Sequence, residues 1–301
     1  DREGARHAMP VTALPFQRFL LWDGRADSLW SQPLRAIEAE AEMDFTRVEV
    51  ARFIERAYRA EYEGVFGPLP AVAELPERAR PGLPGWDEMS AEQRDQVNRV
   101  FANVGKAIEA YERRLTCADT RFDRWARGEF EIEGDERIGA AKFVVFGCID
   151  CHSGPSFSDG EFHNIGIGSG GDQPDSGRAG AVEELLADPF NGAGAFSDDP
   201  VAGQALLDSI EVETRTMGAF RTAGLRGAGQ RRFFGHRGHK EFLSEFINDV
   251  YDNPHLQDSA VGELDPQALR AEREREPALE QRHAVLDVGL RDVGAERAIV
   301  D

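Results

Sequence analysis

Cys148-Ile149-Asp150-Cys151-His152 is the stretch from which the rest of the chain is read. It has the form C-x-x-C-H. Two thiols at this spacing on one helical turn can each add to a vinyl group of a single porphyrin, and the adjacent histidine then lies under the iron. The pattern is the attachment signature of a c-type haem, with Cys148 and Cys151 as covalent links and His152 as proximal iron ligand. A zinc site on the same cysteines needs a second pair of thiols or histidines at ligand spacing. The only other cysteine is Cys117, and no H-x3–5-H pair occurs. A thioredoxin-like pair needs a βαβ context. Here a helical pattern over 138–146 precedes the motif and a glycine-rich stretch follows it. Two buried structural thiols remain the alternative.

The chain has 301 residues, enough for one or two domains with a sizeable core. With 35 basic and 55 acidic side chains its net charge is -20. Such a surface argues against nucleic acid and anionic membranes as partners, and favours either a basic redox partner or plain solubility. No run of about 18 apolar residues could span a bilayer, and no signal peptide is visible. The chain opens at Asp1 and stops at Asp301 inside an apolar pattern, so both ends read as cuts. Haem attachment through C-x-x-C-H normally takes place outside the bacterial cytoplasm, which favours the periplasm.

The pattern predicts a mostly helical chain. Pro10 and Pro15 mark an extended approach. A tight turn at Asp23-Gly24 leads into a helix over roughly 26–39, with Asp27 or Ser28 as N-cap and Leu29, Leu34 and Ile37 as its apolar stripe. A second helix covers 47–66. The proline-rich stretch 67–87 reads as a surface connection. Ser90 and Gln93 form a capping box that opens the clearest helix, with Val97, Val100, Phe101, Val104, Ile108, Tyr111 and Leu115 in register. That stripe is core. Residues 166–206 read as a long loop with one short helix near 182–186. A helix is expected over 239–251 and a polar exposed segment over 252–277.

Several stretches share an order. Phe19-Leu20-Leu21-Trp22-Asp23-Gly24-Arg25-Ala26-Asp27-Ser28-Leu29 comes first, then Gln32 and Glu42-Met43. Ala107-Ile108-Glu109-Ala110-Tyr111-Glu112-Arg113, Arg121-Phe122-Asp123-Arg124 and the haem motif follow. Next are Phe162-His163-Asn164-Ile165-Gly166, Phe220-Arg221-Thr222, Leu225-Arg226 and His236 with Gly238. In this order and spacing the chain resembles the bacterial di-haem cytochrome c peroxidases and their MauG-type relatives. The resemblance implies cytochrome c-like helical domains. Residues 1–120 would be the later part of the first-haem, peroxidatic domain, without its C-x-x-C-H. Residues 121–301 would be the second, electron-transfer domain. One haem c is then expected in this chain and a second on a preceding part, the chain reading as a fragment.

The resemblance also implies roles. Trp22 matches the tryptophan that relays electrons between the two haems. Gln32 and Glu42 match the polar pair over the peroxidatic iron, where a desolvated glutamate would move the peroxide proton. Arg221 and Arg226 would pair with haem propionates, and His236 matches a histidine near the second haem. The distal ligand of that haem is a methionine or, in MauG-like members, a tyrosine. Counting from His236 reaches Val250, with Tyr251 one step on as the candidate ligand and Met217 as a rival. Calcium between the domains is implied as well, but the region of its asparagine ligand reads Arg6-His7-Ala8-Met9-Pro10. The function implied is peroxide reduction with electrons from a small cytochrome c or cupredoxin, commonly in a homodimer. The alternatives are MauG-like oxidation of a protein side chain and a mono-haem electron carrier.

Overall fold

The computed structural model describes residues 4–166, 175–210 and 216–252, without the side chains of 249, 251 and 252. The chain is mostly helical, as its patterning predicts. The polar stretch expected over 252–277 and the apolar pattern at the C-terminal end lie outside the described residues, apart from the backbone of Asp252.

The helix α1 (Ser31–Glu38) starts later than its sequence suggests. Its N-cap is Trp30, without a side-chain bond. Asp27, the expected cap, is instead buried and accepts from Gly192 N at 2.7 Å, a long-range contact that propensity cannot reveal. The expected helix over 47–66 is two, α2 (Arg47–Ala57) and α3 (Arg59–Phe66), broken at Tyr58. A capping box of Thr46 and Glu49 opens α2.

The stretch 67–87 is more than a surface connection. Leu69, Val72, Leu75 and Ala79 are buried, and Trp86 is buried on the short α4 (Pro84–Glu88). They form one cluster with Val48, Val97 and Val100. The long α5 (Ala91–Glu112) has the predicted Ser90–Gln93 capping box. Its N-terminal stripe is core, but Tyr111 is exposed. Gly105 lets α5 press against α1, since a Cβ there would meet the Trp30 carbonyl.

The later half contains α6 (Arg121–Ala126), α7 (Gly134–Val145), the one-turn α8 (Cys148–Cys151), α9 (Arg178–Ala187), α10 (Pro200–Asp208) and α11 (Leu243–Asp252). Two short strands, β1 (Phe162–His163) and β2 (Phe220–Arg221), pair antiparallel. The long loop expected over 166–206 is thus corrected: it holds two helices, α9 and α10. The short helix expected near 182–186 is α9, longer than its pattern suggests, and α10 is the addition. Val182, Leu185 and Leu207 are buried, and Phe190 and Phe196 close a cluster with Trp30, Leu34 and Phe101.

The clusters are unevenly distributed. Among the described residues they draw on 14–108 and 162–210, and no cluster contains a residue of 121–161 or 216–252. In 121–166 the only buried residue is Ser156. Among the described residues, the stretches around the C-x-x-C-H motif thus contribute to no hydrophobic cluster.

Glu112, at the end of α5, is 5 % exposed and its Oε2 has no partner. Burial, reinforced by the charge of Glu109, pushes its carboxyl up to about 7. Between the unfolded value and about 7 the folded chain holds the extra proton, so stability falls as pH rises through that window. Glu112→Gln should remove this slope and raise stability at pH about 8 by about 1–3 kcal/mol, with little change at pH about 4. Urea unfolding at the two pH values measures it.

Candidate functional site

A turn of chain prepares the site. Leu20 N donates to Ala26 O at 2.7 Å, closing the loop that carries Trp22. Gly24 has φ +71°, and a Cβ there would run into the Phe162 ring and Arg178. The buried Asp23 accepts from Arg6 and Arg25. Arg178 donates to Gly24 O at 2.7 Å, its guanidinium 4.3 Å from both the Phe19 and Phe162 ring centres. Burial pushes Arg178 down to about 10. Trp22 is half-buried, its Nε1 donates to His7 O at 2.7 Å, and its carbonyl accepts from Arg221 N at 2.7 Å. Sequence reasoning missed Arg178, because its partners are backbone carbonyls more than 150 positions away.

Beside Trp22 opens a cavity of about 440 Å³. Cys151 and His152 form one part of its wall, and Trp22 with 7–10 another. His163–Ile165, Phe220–Ala223, Arg231–His236 and the α11 residues Leu243 and Phe246 complete most of it. This size suits a cofactor. Gly147 (φ +73°) turns α7 into α8, which sets the motif against the cavity. His152 Nδ1 donates to Phe157 O at 3.0 Å. That tautomer leaves Nε2 as the lone-pair nitrogen, the form an iron ligand needs. Burial holds the ring's pKa below its ordinary value.

Arg221 is 3 % exposed and donates to Gln17 Oε1 at 2.6 Å, to backbone carbonyls and towards Met9 Sδ. No bond to a carboxylate is among these, and burial pushes it down to about 10. His236 is buried, its ring stacked on Phe220 at 3.8 Å and 11°. Its Nε2 has no partner, and burial pushes it down to about 4. An apolar cavity with an imidazole in its wall, a buried cation and the orphaned ring nitrogen of His236 together fit a haem with two carboxylates.

Other expected residues lie elsewhere. Arg226 is not in the cavity wall. It bonds Asp123 at 2.8 and 3.0 Å, Cys117 O at 2.7 Å and Pro155 O, and so pins α6 to the loop after the motif. Arg231, which the sequence did not single out, lines the cavity instead. Gln32, in the first turn of α1, has its Oε1 buried without a partner. Glu42 is exposed in the turn after α1 and is not in the cavity wall. Met217 is 52 % exposed and outside the cavity wall. Leu243 and Phe246 line the cavity from α11, which puts Val250 on their face of the helix. Tyr251 follows in the same helix, and its side chain lies outside the described residues. Among the described residues the one side-chain group suited to a metal ion is Cys151, Asp159 and His163. It contains sulfur and nitrogen, unlike a calcium site.

The chain is similar to known proteins over part of its length. The family model described as di-haem cytochrome c peroxidase matches residues 1–131. Methylamine utilization protein MauG of Methylorubrum extorquens is 32% identical over 171 residues, 56% of this chain and 41% of that protein. Cytochrome c551 peroxidase of Pseudomonas aeruginosa is 26% identical over 169 residues, 55% of this chain and 41% of that protein. The diheme peroxidase BthA of Burkholderia thailandensis shares the fold with TM-score 0.60 at 19% identity, over 82% of this chain and 58% of its own. The chain therefore spans about two fifths of the length of these curated relatives. Among the described residues no helix is long and apolar enough to cross a membrane. Over part of its length this chain is thus similar to the bacterial di-haem cytochrome c peroxidases and to MauG proteins.

Proposed function

We propose that this chain carries the electron-transfer c-type haem of a periplasmic peroxidase that reduces hydrogen peroxide with electrons from a small cytochrome c or cupredoxin. The observation that carries the reading is the cavity of about 440 Å³, walled by Cys151, His152 and Trp22. A haem bound there supplies a one-electron redox centre. Cys148 and Cys151 would tether it, and His152 would hold the iron through Nε2. Arg221 would meet a propionate in a dry setting, where a charge-assisted bond is strong, and His236 would offer its free nitrogen. Trp22 stands in the same wall and provides a π system leading out of the cavity. Gln32 and Glu42 would bind peroxide and move its proton at the second haem that the resemblance implies.

A second reading, peroxide-dependent oxidation of a protein side chain through Trp22, is favoured by the 32% identity with a protein named MauG. Protein matured in a host that attaches haem tests both. The expected mass is that of the chain plus one covalent haem, and the full gene product should oxidise reduced cytochrome c when peroxide is added. Covalent haem with no cytochrome oxidation would favour the second reading. A mass of bare polypeptide would remove both.

A further inference from the structure

The turn that carries Trp22 is held by a cation built into the chain. Arg6 donates to Asp175 through Nε at 2.8 Å and Nη2 at 2.7 Å, and to Asp23 through Nη1. Asp23 follows Trp22 in the chain and is buried. The residue after Arg6 serves Trp22 itself. His7 O accepts from Trp22 Nε1 at 2.7 Å, while His7 N donates to His236 O at 2.8 Å. The Arg6 guanidinium also stands 5.5 Å from the centre of the Phe220 ring, on which His236 stacks. Its side chain is 17% exposed. Burial opposes its charge, but the bonds to Asp175 and Asp23 outweigh that and hold its pKa above the ordinary arginine value. The same guanidinium draws the Asp175 carboxyl down to about 2. A bidentate guanidinium–carboxylate pair fixes direction as well as distance, so the backbone that follows Arg6 is fixed with it.

Calcium between the domains, which the resemblance implies, needs about six to eight oxygen ligands. The carboxylates at the Trp22 turn are not free for it. Asp23 Oδ1 accepts from Arg25 N at 3.2 Å and from Arg25 Nη1 at 3.0 Å, and its Oδ2 accepts from Arg6. Asp175 Oδ1 accepts from Arg6 and from Gly177 N at 2.9 Å, and its Oδ2 accepts from Arg6. The two guanidinium charges of Arg6 and Arg25 balance the two carboxylates. A divalent ion would have to displace a donor from each carboxylate oxygen it took, leaving a half-buried cation unpaired. We propose that Arg6 is a positioning residue for Trp22: bridging Asp23 and Asp175, it fixes the His7 carbonyl that orients the indole, and it takes the place of a calcium ion at this turn. The setting of the indole is therefore independent of metal. What that indole is for rests on the proposed electron-transfer reading; where it sits does not.

The test follows solvent exchange of the indole N–H groups by NMR, on reduced protein matured in a haem-attaching host with isotope-labelled tryptophan. The chain has four tryptophans, and Trp22→Phe identifies the Trp22 signal. Arg6→Ala should speed exchange at Trp22 roughly tenfold, the scale of one hydrogen bond. The same change should alter Trp30, Trp86 and Trp125 by less than about twofold. Arg6→Lys, a point charge without the planar fork, should restore part of the protection. Asp175→Asn keeps the Arg6–Asp23 contact and should give a smaller rise, again at Trp22 alone; it carries the test if Arg6→Ala does not fold. Added calcium or EDTA should move none of the four signals. Unchanged exchange at Trp22 overturns the proposal, and so does an equal rise at all four indoles. A Trp22 signal that responds to calcium or EDTA returns the place to the ion and overturns it as well. Intact mass of the same samples shows whether haem is attached. Bare polypeptide would sink the electron-transfer reading, while the comparison of the four indoles still decides the role of Arg6.

Discussion

A chain carrying Cys148→Ala and Cys151→Ala together is expected to emerge colourless from acid–acetone extraction. It should also be cut by protease first within 121–161 and 216–252, leaving the body of α1 to α5 whole. The physical reason is the distribution of apolar contacts. The α1–α5 body has two dense clusters, one around Val48, Val72 and Val97 and one around Trp30, Phe101 and Phe190. Among the described residues of 121–161 and 216–252 there is none, and Phe122, Ile138, Phe146 and Phe242 are exposed there. A porphyrin filling the cavity would bury a few hundred Å² of apolar surface, on the order of 10 kcal/mol at ~25 cal/mol per Å². That is comparable with the whole stability of a typical domain. Without the tether this contribution depends on free haem, and local opening becomes frequent. Limited proteolysis with mass mapping, on wild-type and variant chains side by side, measures it. Cleavage at the same sites and rates in both would show that haem is not the missing core.

Glu42→Gln is expected to lower peroxide turnover of the full gene product by roughly 100-fold, the low end of what a positioned acid–base group contributes. The same change should leave the covalent haem and its spectrum unaltered. The split follows from location. Glu42 lies in the turn after α1 and is exposed, and it is not part of the cavity wall that holds Cys151 and His152. Gln32 stands in the first turn of that helix with a buried oxygen that has no partner. Neither group is in the cavity wall, and the two would act on peroxide only where a second haem covers them. A carboxamide keeps the size of the side chain but neither accepts nor returns a proton. Stopped-flow turnover and an optical spectrum on the same sample decide the matter, and equal rates would remove Glu42 from the mechanism.

Local signals were legible wherever one residue type answers one local need. The Ser90–Gln93 capping box, the stripe of α5 and the turn at Asp23-Gly24 all depend on neighbours within a few positions. Signals that depend on distant partners were not. Asp27 reads as a helix cap but serves Gly192, and Arg226 reads as a haem partner but serves Asp123. The helix α10 was not legible and α9 only as a shorter turn near 182–186, because what holds them is long-range packing of Leu185 and Leu207 on Phe19.

What the amino-acid order offered alone is the C-x-x-C-H spacing that points to a haem, because covalent attachment needs only two thiols and an imidazole at fixed spacing on one turn. What only the folded chain decided is which side chains surround that motif. Trp22, Arg221 and His236 come from three separate stretches and meet Cys151 and His152 in one wall. Burial, which left Arg221 without a carboxylate and His236 with an unpartnered nitrogen, is a property of packing rather than of any residue's neighbours in the chain.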